Sequence, residues 1–243
     1  VSDKEIIETE LQFKDLESVE KKMKKTEKQA KSDPKIKVEY DILIRVLNHL
    51  LKGKNVLSLG LSKEEKVAVA DLFLLTEKPI LYVANVDEKS IITGNQYSEA
   101  LRKVVEAEGA QLIVLNNSIE AQITELEDLE DKQMFLDEYG LTEPGLNRLI
   151  QSTYKLLHLI TYFTAGVQEV RAWTIENGWK APQAAGVIHT DFEKGFIKAE
   201  VIGYDDYVQH GSEAACREIG RLRIEGKEYI VKDGDVMHFR FNV

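Results

Sequence analysis

Apolar positions near the start of the chain recur at helical spacing and predict two helices joined by a short turn. Residues 5–31 contain no Gly or Pro, and their apolar positions follow spacings of three and four. The positions concerned are Leu16, Val19, Met23, Thr26 and Ala30. Ser32-Asp33-Pro34 ends this helix, because proline disfavours helical geometry in the residue before it. A second helix follows, with one apolar face formed by Tyr40, Leu43, Leu47 and Leu50. The pattern therefore predicts an antiparallel helical hairpin with a coiled-coil-like period.

The middle of the chain alternates between helix-like and strand-like segments. Ser62-Lys63-Glu64-Glu65 has the pattern of a capping box that opens a helix. Apolar runs at 80–84 and 111–115 flank a helical segment at 97–108, which predicts a βαβ unit of a parallel, buried sheet. Asn85-Val86-Asp87-Glu88 and Asn116-Asn117-Ser118 follow the two strands. Because ligands bind at the carboxyl ends of strands in such sheets, these loops are the candidate binding residues.

The pattern changes again in the second half of the chain. Two carboxylate-rich stretches, 120–131 and 132–139, predict solvated helix faces, and residues 147–159 predict another amphipathic helix. Beyond about residue 160 the chain predicts short alternating strands, at 167–173, 196–201, 228–231 and 236–241. The Asp-Gly pair within Lys232-Asp233-Gly234-Asp235 predicts a tight hairpin between the last two strands. We expect a small mixed domain here.

Composition excludes several classes of protein. The net charge is 32 − 42 = −10 and the pI is about 5.2, which argues against a simple DNA-binding module, so no DNA partner is expected. The single cysteine, Cys216, excludes an intramolecular disulfide and a cysteine-based zinc site, and it fits a reducing compartment such as the cytoplasm. No apolar run approaches the roughly 18 residues of a membrane span, so no membrane partner is expected. The five histidines lack metal-ligand spacing, so we assign no metal ligands.

Lysines concentrate at the predicted turn of the helical hairpin. The residues that we consider for nucleic-acid binding are Lys21, Lys22, Lys24, Lys25, Lys28 and Lys31. One interpretation is a solvated helix surface whose charge is partly offset by Glu20 and Glu27. The other is contact with RNA phosphates. Residues 161–243 carry ten Lys and Arg against thirteen Asp and Glu, so an RNA contact there would need a local patch. Its candidates are Lys194, Lys198, Arg221, Arg223 and Lys227.

Four segments near the end of the chain carry a recognisable pattern: Tyr162–Gly166, Arg171–Thr174, Ile188–Ile197 and Glu225–Val243. In these segments the chain closely resembles the C-terminal TGS domain of the YchF/Obg-like ATPase family. Upstream, Ile7–Leu11 and Glu143–Asn147 also look like that family, so the resemblance covers essentially the whole chain. It implies an α/β fold: part of a P-loop NTPase domain with a parallel sheet at 1–137, including a helical-hairpin insertion at about 5–76. A connecting helix at 138–160 and a β-grasp, ubiquitin-like TGS domain at 161–243 would follow.

The resemblance also implies a role for the polar loops. Typical P-loop GTPases carry N-K-x-D where this chain has Asn85-Val86-Asp87-Glu88, so Val86 replaces the lysine that packs on guanine and Glu88 replaces the aspartate. This departure implies that adenine is preferred over guanine, recognised by the Asn85 amide or the Val86 backbone N–H. Asn117 and Ser118 would brace the base through backbone groups.

As an intact protein, a family member of this kind would bind and hydrolyse ATP with Mg²⁺ and engage ribosomes or RNA in the cytoplasm. No Walker-A pattern (G-x-x-x-x-G-K-[ST]) occurs in the 243 residues, so we expect a piece that lacks the P-loop portion and its Mg²⁺ ligands. No catalytic residue is therefore assigned. The alternative is a non-enzymatic RNA- or ribosome-binding module that uses the lysine-rich turn and the TGS domain.

We predict that the purified 243-residue chain does not hydrolyse ATP and binds nucleotides weakly or not at all. Phosphoryl transfer depends on positioned phosphates and a metal ion, and no pattern for either occurs here. Release of inorganic phosphate from ATP and Mg²⁺ measures this directly. Turnover above the rate without protein would contradict the prediction.

Overall fold

The computed structural model describes residues 1–166 and 169–242 and divides into two compact units, Val1–Arg148 and Leu149–Val243. The elements that begin in the first unit are α1 (Ser2–Ala30), α2 (Pro34–Leu50), α3 (Lys63–Val69), β1 (Leu81–Asn85), α4 (Gln96–Ala107), β2 (Gln111–Leu115), α5 (Asn117–Glu125), α6 (Leu129–Glu138) and α7 (Gly145–Leu156). The interval 138–160, predicted as one connecting helix, contains the end of α6, a turn, α7 and the start of the next strand. Within the described ranges, no helix has the length and apolar character needed to cross a membrane.

Helices α1 and α2 pack against each other along the predicted apolar positions. Pro34 occupies the first turn of α2, and the Asp33 carboxylate caps this helix by accepting a hydrogen bond from the Lys35 N–H at 2.8 Å. Val19 from α1 and Leu43 and Val46 from α2 are fully buried in the shared core. The predicted capping box at the start of α3 is confirmed, because Ser62 and Glu65 exchange hydrogen bonds between side chain and backbone.

A buried carboxylate joins α1 to the segment that leads into β1. The side chain of Asp15 accepts hydrogen bonds from the Leu75 N–H at 2.7 Å, the Thr76 N–H at 2.8 Å and the Thr76 hydroxyl at 2.7 Å. Thr76 Oγ1 in turn accepts a hydrogen bond from the Val56 N–H at 3.1 Å. Asp15 is only 2% exposed, so these contacts replace the water that its carboxylate loses on burial.

The predicted βαβ unit is confirmed. Strands β1 and β2 are parallel and in register from Leu81 opposite Gln111 to Asn85 opposite Leu115, with α4 between them along the chain. Gly109 follows α4 with φ of 73°, a left-handed conformation that favours glycine at a helix end. The prediction that β1 is a buried strand is wrong, since Val83 is 45% exposed. The described part of this sheet has only two strands, so β1 is an edge strand.

The second unit contains a five-stranded mixed sheet with helices. After the end of α7, its elements are β3 (Leu159–Ala165), β4 (Val170–Glu176), α8 (Ala181–Ile188), α9 (Thr190–Lys194), β5 (Phe196–Gly203), α10 (Tyr204–His210), α11 (Glu213–Glu218), β6 (Arg223–Glu225) and β7 (Asp235–Phe241). The strand order is β4-β3-β7-β5-β6; β3 and β7 are parallel, and the other pairs are antiparallel. One face buries Tyr162, Val201 and Met237 against α8. Of the strand predicted at 167–173, Val167 and Gln168 lie outside the described residues.

The predicted hairpin between 228–231 and 236–241 is wrong. Within the described chain, residues 228–231 form no strand and make a single bridge, between Ile230 and Lys180. The Asp235 carboxylate draws the segment into a closed turn by accepting hydrogen bonds from the Lys232 N–H at 2.9 Å and the Tyr229 hydroxyl at 2.7 Å. Burial, followed by the hydrogen bond to this carboxylate, raises the pKa of Tyr229 to about 12.

We predict that Asp15→Ala lowers the free energy of unfolding by about 3 kcal/mol, because it leaves the buried Thr76 N–H and hydroxyl and the partly buried Leu75 N–H without their acceptor. Urea unfolding followed by the circular dichroism of the helices measures the change. The matched control is Glu17→Ala on the same helix, whose side chain is exposed and should leave stability unchanged. Equal effects of the two substitutions would contradict the role given to Asp15.

Candidate functional site

The two polar loops predicted as binding residues lie side by side and are tied to each other. Asn116 is 7% exposed, and its side-chain amide donates a hydrogen bond to the Val86 carbonyl at 2.6 Å. The Val86 N–H donates to the Leu115 carbonyl at 2.9 Å. The Asn117 N–H donates to Oδ1 of Asn85 at 3.0 Å. These three bonds join the end of β1 to the start of α5, so the two loops form one rigid rim.

The hydrogen bond from Asn117 fixes which way the Asn85 amide points. Since the Asn117 N–H is a donor, it must face the oxygen of that amide and not its NH₂ group. Nδ2 of Asn85 therefore points elsewhere, and it has no hydrogen-bond partner among the described residues. The side chain is exposed, so the NH₂ group is available to a ligand.

The other predicted base-binding residues divide into two kinds. The side chains of Glu88, Asn117 and Ser118 are exposed at the rim and accessible to a ligand. Val86 is buried, and its backbone N–H already bonds to Leu115, which removes the predicted contact between that N–H and an adenine edge. Asp87 caps the turn after β1 by accepting a hydrogen bond from the Ser90 N–H at 3.0 Å.

Both loops lead directly into one small hydrophobic core. Ile91 follows the turn after β1, and Ile119 lies in the first turn of α5; both are buried against Leu136 and Leu141. The Asn116 side chain also caps α5, because its Oδ1 accepts a hydrogen bond from the Ile119 N–H at 2.9 Å. The rim is thus held both by this hydrophobic core and by the hydrogen bonds between its two loops.

A carboxylate beside this rim has a structural role that the sequence does not predict. Glu120, predicted to lie on a solvated face, accepts hydrogen bonds from the Gly145 N–H at 2.7 Å and the Leu146 N–H at 3.0 Å. Arg148, one turn further along α7, donates to the Val114 carbonyl at 3.2 Å. The first turn of α7 therefore packs across the end of β2. The sequence signal was weak, since the partners are 25 residues apart.

The lysines predicted for nucleic-acid binding are not equivalent. Five of them are exposed, and none of the five forms an ion pair with a described residue: Lys21, Lys24, Lys25, Lys28 and Lys31. We call these five residues the lysine tip. The sixth, Lys22, is half-buried, and its ammonium contacts Glu39 and Asp71 at 2.6 Å each. Burial opposes the charge of Lys22, but hydrogen bonds to Asp71 and Glu39 raise its pKa above the ordinary value. Lys22 thus joins α1 to α2 and to the segment after α3, and its role as a phosphate ligand stays a prediction.

The candidate basic residues of the second unit divide into two paired arginines and three lysines without an ion pair among the described residues. Arg221 pairs with Asp206 at 3.5 Å, and Arg223 contacts both Asp235 and the Tyr229 hydroxyl. Lys194, Lys198 and Lys227 form no ion pair with a described residue.

One group of potential metal ligands comes together in the described chain: Glu200, Glu213 and His238. Its carboxylates are already neutralised, since Arg240 contacts Glu200 at 3.1 Å and Arg217 contacts Glu213 at 2.7 Å. A site for Mg²⁺ would present oxygen ligands without competing guanidinium groups. The cluster is therefore an ion-pair network, and it does not fit the Mg²⁺ that the resemblance implies.

Comparison with known proteins places these features in a family. The family model YchF-GTPase_C, described as "Protein of unknown function (DUF933)", matches residues 159–242. The ribosome-binding ATPase YchF of Haemophilus ducreyi is 52% identical over 242 residues, which is 99% of this chain and 66% of the relative. The protein of the same name from Bacillus subtilis is 48% identical over 246 positions, covering 100% of this chain and 67% of the relative. The chain belongs to the YchF family.

Solved structures agree with that assignment. The YchF GTPase of Schizosaccharomyces pombe superposes with a TM-score of 0.83 at 34% identity, over 97% of this chain and 64% of that one. A GTP-binding protein from Pyrococcus horikoshii gives a TM-score of 0.60 at 19% identity, over 100% of this chain and 72% of that one, which shows a common fold alone. The predicted α/β fold with a parallel sheet is confirmed.

The chain spans about two thirds of the length of the curated YchF relatives that it matches. The prediction that an upstream P-loop portion is missing stays a prediction.

Proposed function

We propose that the whole protein is a ribosome-associated ATPase, and that the rim formed by the two strand-end loops recognises the adenine of ATP. The orientation of the Asn85 amide carries this proposal, because Asn117 holds its oxygen and leaves its NH₂ group available. The relatives are named ribosome-binding ATPases, which supports ATP, Mg²⁺ use, the ribosome and a cytoplasmic location as properties of the whole protein. No step of phosphoryl transfer is assigned to the described residues.

An asparagine amide distinguishes adenine from guanine through its two kinds of polar atom. Oδ1 of Asn85 keeps a second lone pair after accepting from Asn117, so the group offers one acceptor beside one donor. Adenine presents a matching pair on either edge, the N6 amine next to the N1 or N7 acceptor. Guanine presents two acceptors, O6 and N7, on the edge that contains N7, so Oδ1 of Asn85 would face a like atom there. The other guanine edge places O6 beside the N1–H donor, so the Asn85 amide distinguishes the two purines when it contacts the N7 edge.

The residues that replace the guanine motif support the same preference. Val86 has no ammonium stem to pack on a base, and its side chain is buried in the protein. The exposed Glu88 carboxylate is free to turn toward solvent, away from the adenine N1 lone pair. Asn117 contributes through its backbone position, and Ser118 lies beside it at the exposed start of α5.

We further propose that residues 161–243 form a TGS domain of the β-grasp type, after a nucleotide-binding part at 1–137 and a connecting segment at 138–160. The strand order β4-β3-β7-β5-β6, with the first and last strands of the unit parallel at its centre, supports this assignment. So does the match of the YchF family model to residues 159–242.

We predict that adenosine binds to the chain about tenfold more tightly than guanosine, as expected from one pair of base hydrogen bonds. Asn85→Ala should remove the difference. Asn85→Asp should favour guanosine, because a carboxylate accepts from both guanine donors and still accepts from the Asn117 N–H. Chemical-shift titrations with each nucleoside measure base contacts without the phosphates.

The matched control for this titration is Asn117→Ala, which removes an exposed side chain and keeps the backbone N–H. It should bind adenosine like the parent chain. Equal affinity of the parent chain for the two nucleosides would contradict the proposed base site.

The lysine tip supports a second function, contact with RNA phosphates. Its five lysines lie near one end of the hairpin, and residues 14–39 contain no aromatic side chain. Base stacking on aromatic rings is therefore absent from this surface, which leaves backbone charge as the basis of affinity. As a non-enzymatic activity, this binding would persist without nucleotide.

We predict that replacing Lys21, Lys24, Lys25 and Lys28 together by Glu abolishes binding to a short duplex RNA. Binding by the parent chain should weaken with salt at a log–log slope of about −3 to −4, since each neutralised phosphate contributes about −0.9 for a duplex. Lys22 is kept, because its loss would disturb packing.

The matched control replaces four other exposed lysines of the first unit, Lys52, Lys54, Lys63 and Lys103, by Glu. This variant has the same net charge and should retain most of the affinity. Equal loss in both variants would show that bulk charge, and not the lysine tip, determines RNA binding.

A further inference from the structure

We propose that Glu120 and Gly145 are positioning residues for the base-binding rim. The Glu120 carboxylate and the Gly145 backbone together hold residues 116–119 in place, which are the cap and first turn of α5 and are called the loop below. The inference rests on the proposed function for its consequence, adenine recognition. The positioning of the loop itself rests only on contacts within the first unit.

The loop is bracketed by two residues that both contact Gly145. Leu115 precedes the loop, and Glu120 follows it. Glu120 accepts the hydrogen bond from the Gly145 N–H at 2.7 Å, and a Cβ built on Gly145 would lie 3.1 Å from Cβ of Leu115. The two ends of the loop are therefore held at one point, the first residue of α7.

Gly145 leaves space at this point for the Glu120 carboxylate. A Cβ there would also lie 2.7 Å from Oε1 of Glu120, closer than real Cβ atoms approach a neighbouring atom. A side chain at position 145 would therefore displace the carboxylate from the N–H groups that it accepts from, and Leu115 would have to shift by a few tenths of an ångström. With glycine, both flanks of the loop approach α7 without this displacement.

The carboxylate suits its location electrostatically. The first N–H groups of a helix have no partners within the helix, and they carry the positive end of its dipole. Glu120 accepts from two of them, on Gly145 and Leu146, while Arg148 of the same helix donates to the Val114 carbonyl. α7 is thus attached to α5 and to β2 at once, and residues 116–119, where β2 passes into the first turn of α5, cannot shift without breaking one attachment.

The consequence for the rim follows from its hydrogen bonds. The Asn117 N–H must stay in place to hold Oδ1 of Asn85, and Asn116 must stay in place to bond Val86. If the loop moves, the Asn85 amide loses its fixed orientation, and with it the distinction between adenine and guanine. Glu120 does not contact the base in this account; it acts through the loop.

The test combines hydrogen exchange with nucleoside titration in the full 243-residue chain. Glu120→Ala and Gly145→Ala should accelerate exchange at the Asn117 and Ile119 N–H groups about tenfold, and should weaken adenosine binding by a similar factor while guanosine binding hardly changes. Glu120→Gln keeps the shape and one strong acceptor, so it should fall between the parent and Glu120→Ala. Glu125→Ala, an exposed carboxylate at the end of the same helix, is the matched control and should change neither readout.

The outcomes separate this inference from the proposed function. If the parent chain prefers adenosine and Glu120→Ala keeps both the preference and slow exchange, the positioning role is wrong and the base site stands. If the parent chain does not prefer adenosine to guanosine, the base site is wrong, and the exchange rates alone decide the positioning role. Equal acceleration in Glu120→Ala and Glu125→Ala, or a uniform acceleration across α4 and α5, would mean general destabilisation and would overturn the inference.

Discussion

The structure around the candidate site depends on how the carboxyl ends of two parallel strands satisfy their backbone polar groups. Where β1 and β2 end, the ladder of hydrogen bonds stops, yet the groups beyond it remain partly buried. Side-chain amides take over: Asn116 donates to Val86, and Asn85 accepts from Asn117. The bond from Asn116 to Val86 is buried, where a polar group without a partner is costly, and the bond from Asn117 to Asn85 is exposed. The proposed selectivity at the rim rests on this arrangement, since the orientation of the Asn85 amide follows from it.

The same requirement explains why α7 packs where it does. A helix that begins beside a strand end brings unpaired N–H groups into a partly buried place, and a carboxylate is an effective acceptor for them. Glu120 meets that need and thereby joins three elements, with Gly145 leaving the space for it. In the helical hairpin, Asp15 and Lys22 have a comparable structural role, because each is a charged side chain whose partners lie on other segments. Charged residues in this chain therefore divide into those that hold the fold and those that face solvent.

Local patterns predicted most of the elements, and contacts between distant residues account for what they missed. The spacing of Val19 and Leu43, the capping box at Ser62 and the apolar runs of β1 and β2 are local signals, and the structure contains each of them. Glu120 was indistinguishable from the other carboxylates on its helix, because its partners lie 25 residues away. The prediction of a hairpin before β7 is wrong for a similar reason. The Tyr229 hydroxyl donates a hydrogen bond to the Asp235 carboxylate, and β7 pairs with β3 and β5 instead. At the candidate site, the sequence and the family resemblance predict which residues contact a base, but they do not reveal that the Val86 N–H is already bonded.

The most direct test of the account is the contact between the Asn85 side chain and a purine ring. Nuclear Overhauser effects between the Asn85 NH₂ protons and the ring protons of bound adenosine report that contact atom by atom. We expect nuclear Overhauser effects from these protons to adenine H2 or H8, together with an unchanged hydrogen bond from the Asn117 N–H to Asn85. Adenosine bound elsewhere on the chain, or at the rim with its ring away from Asn85, would contradict the central claim.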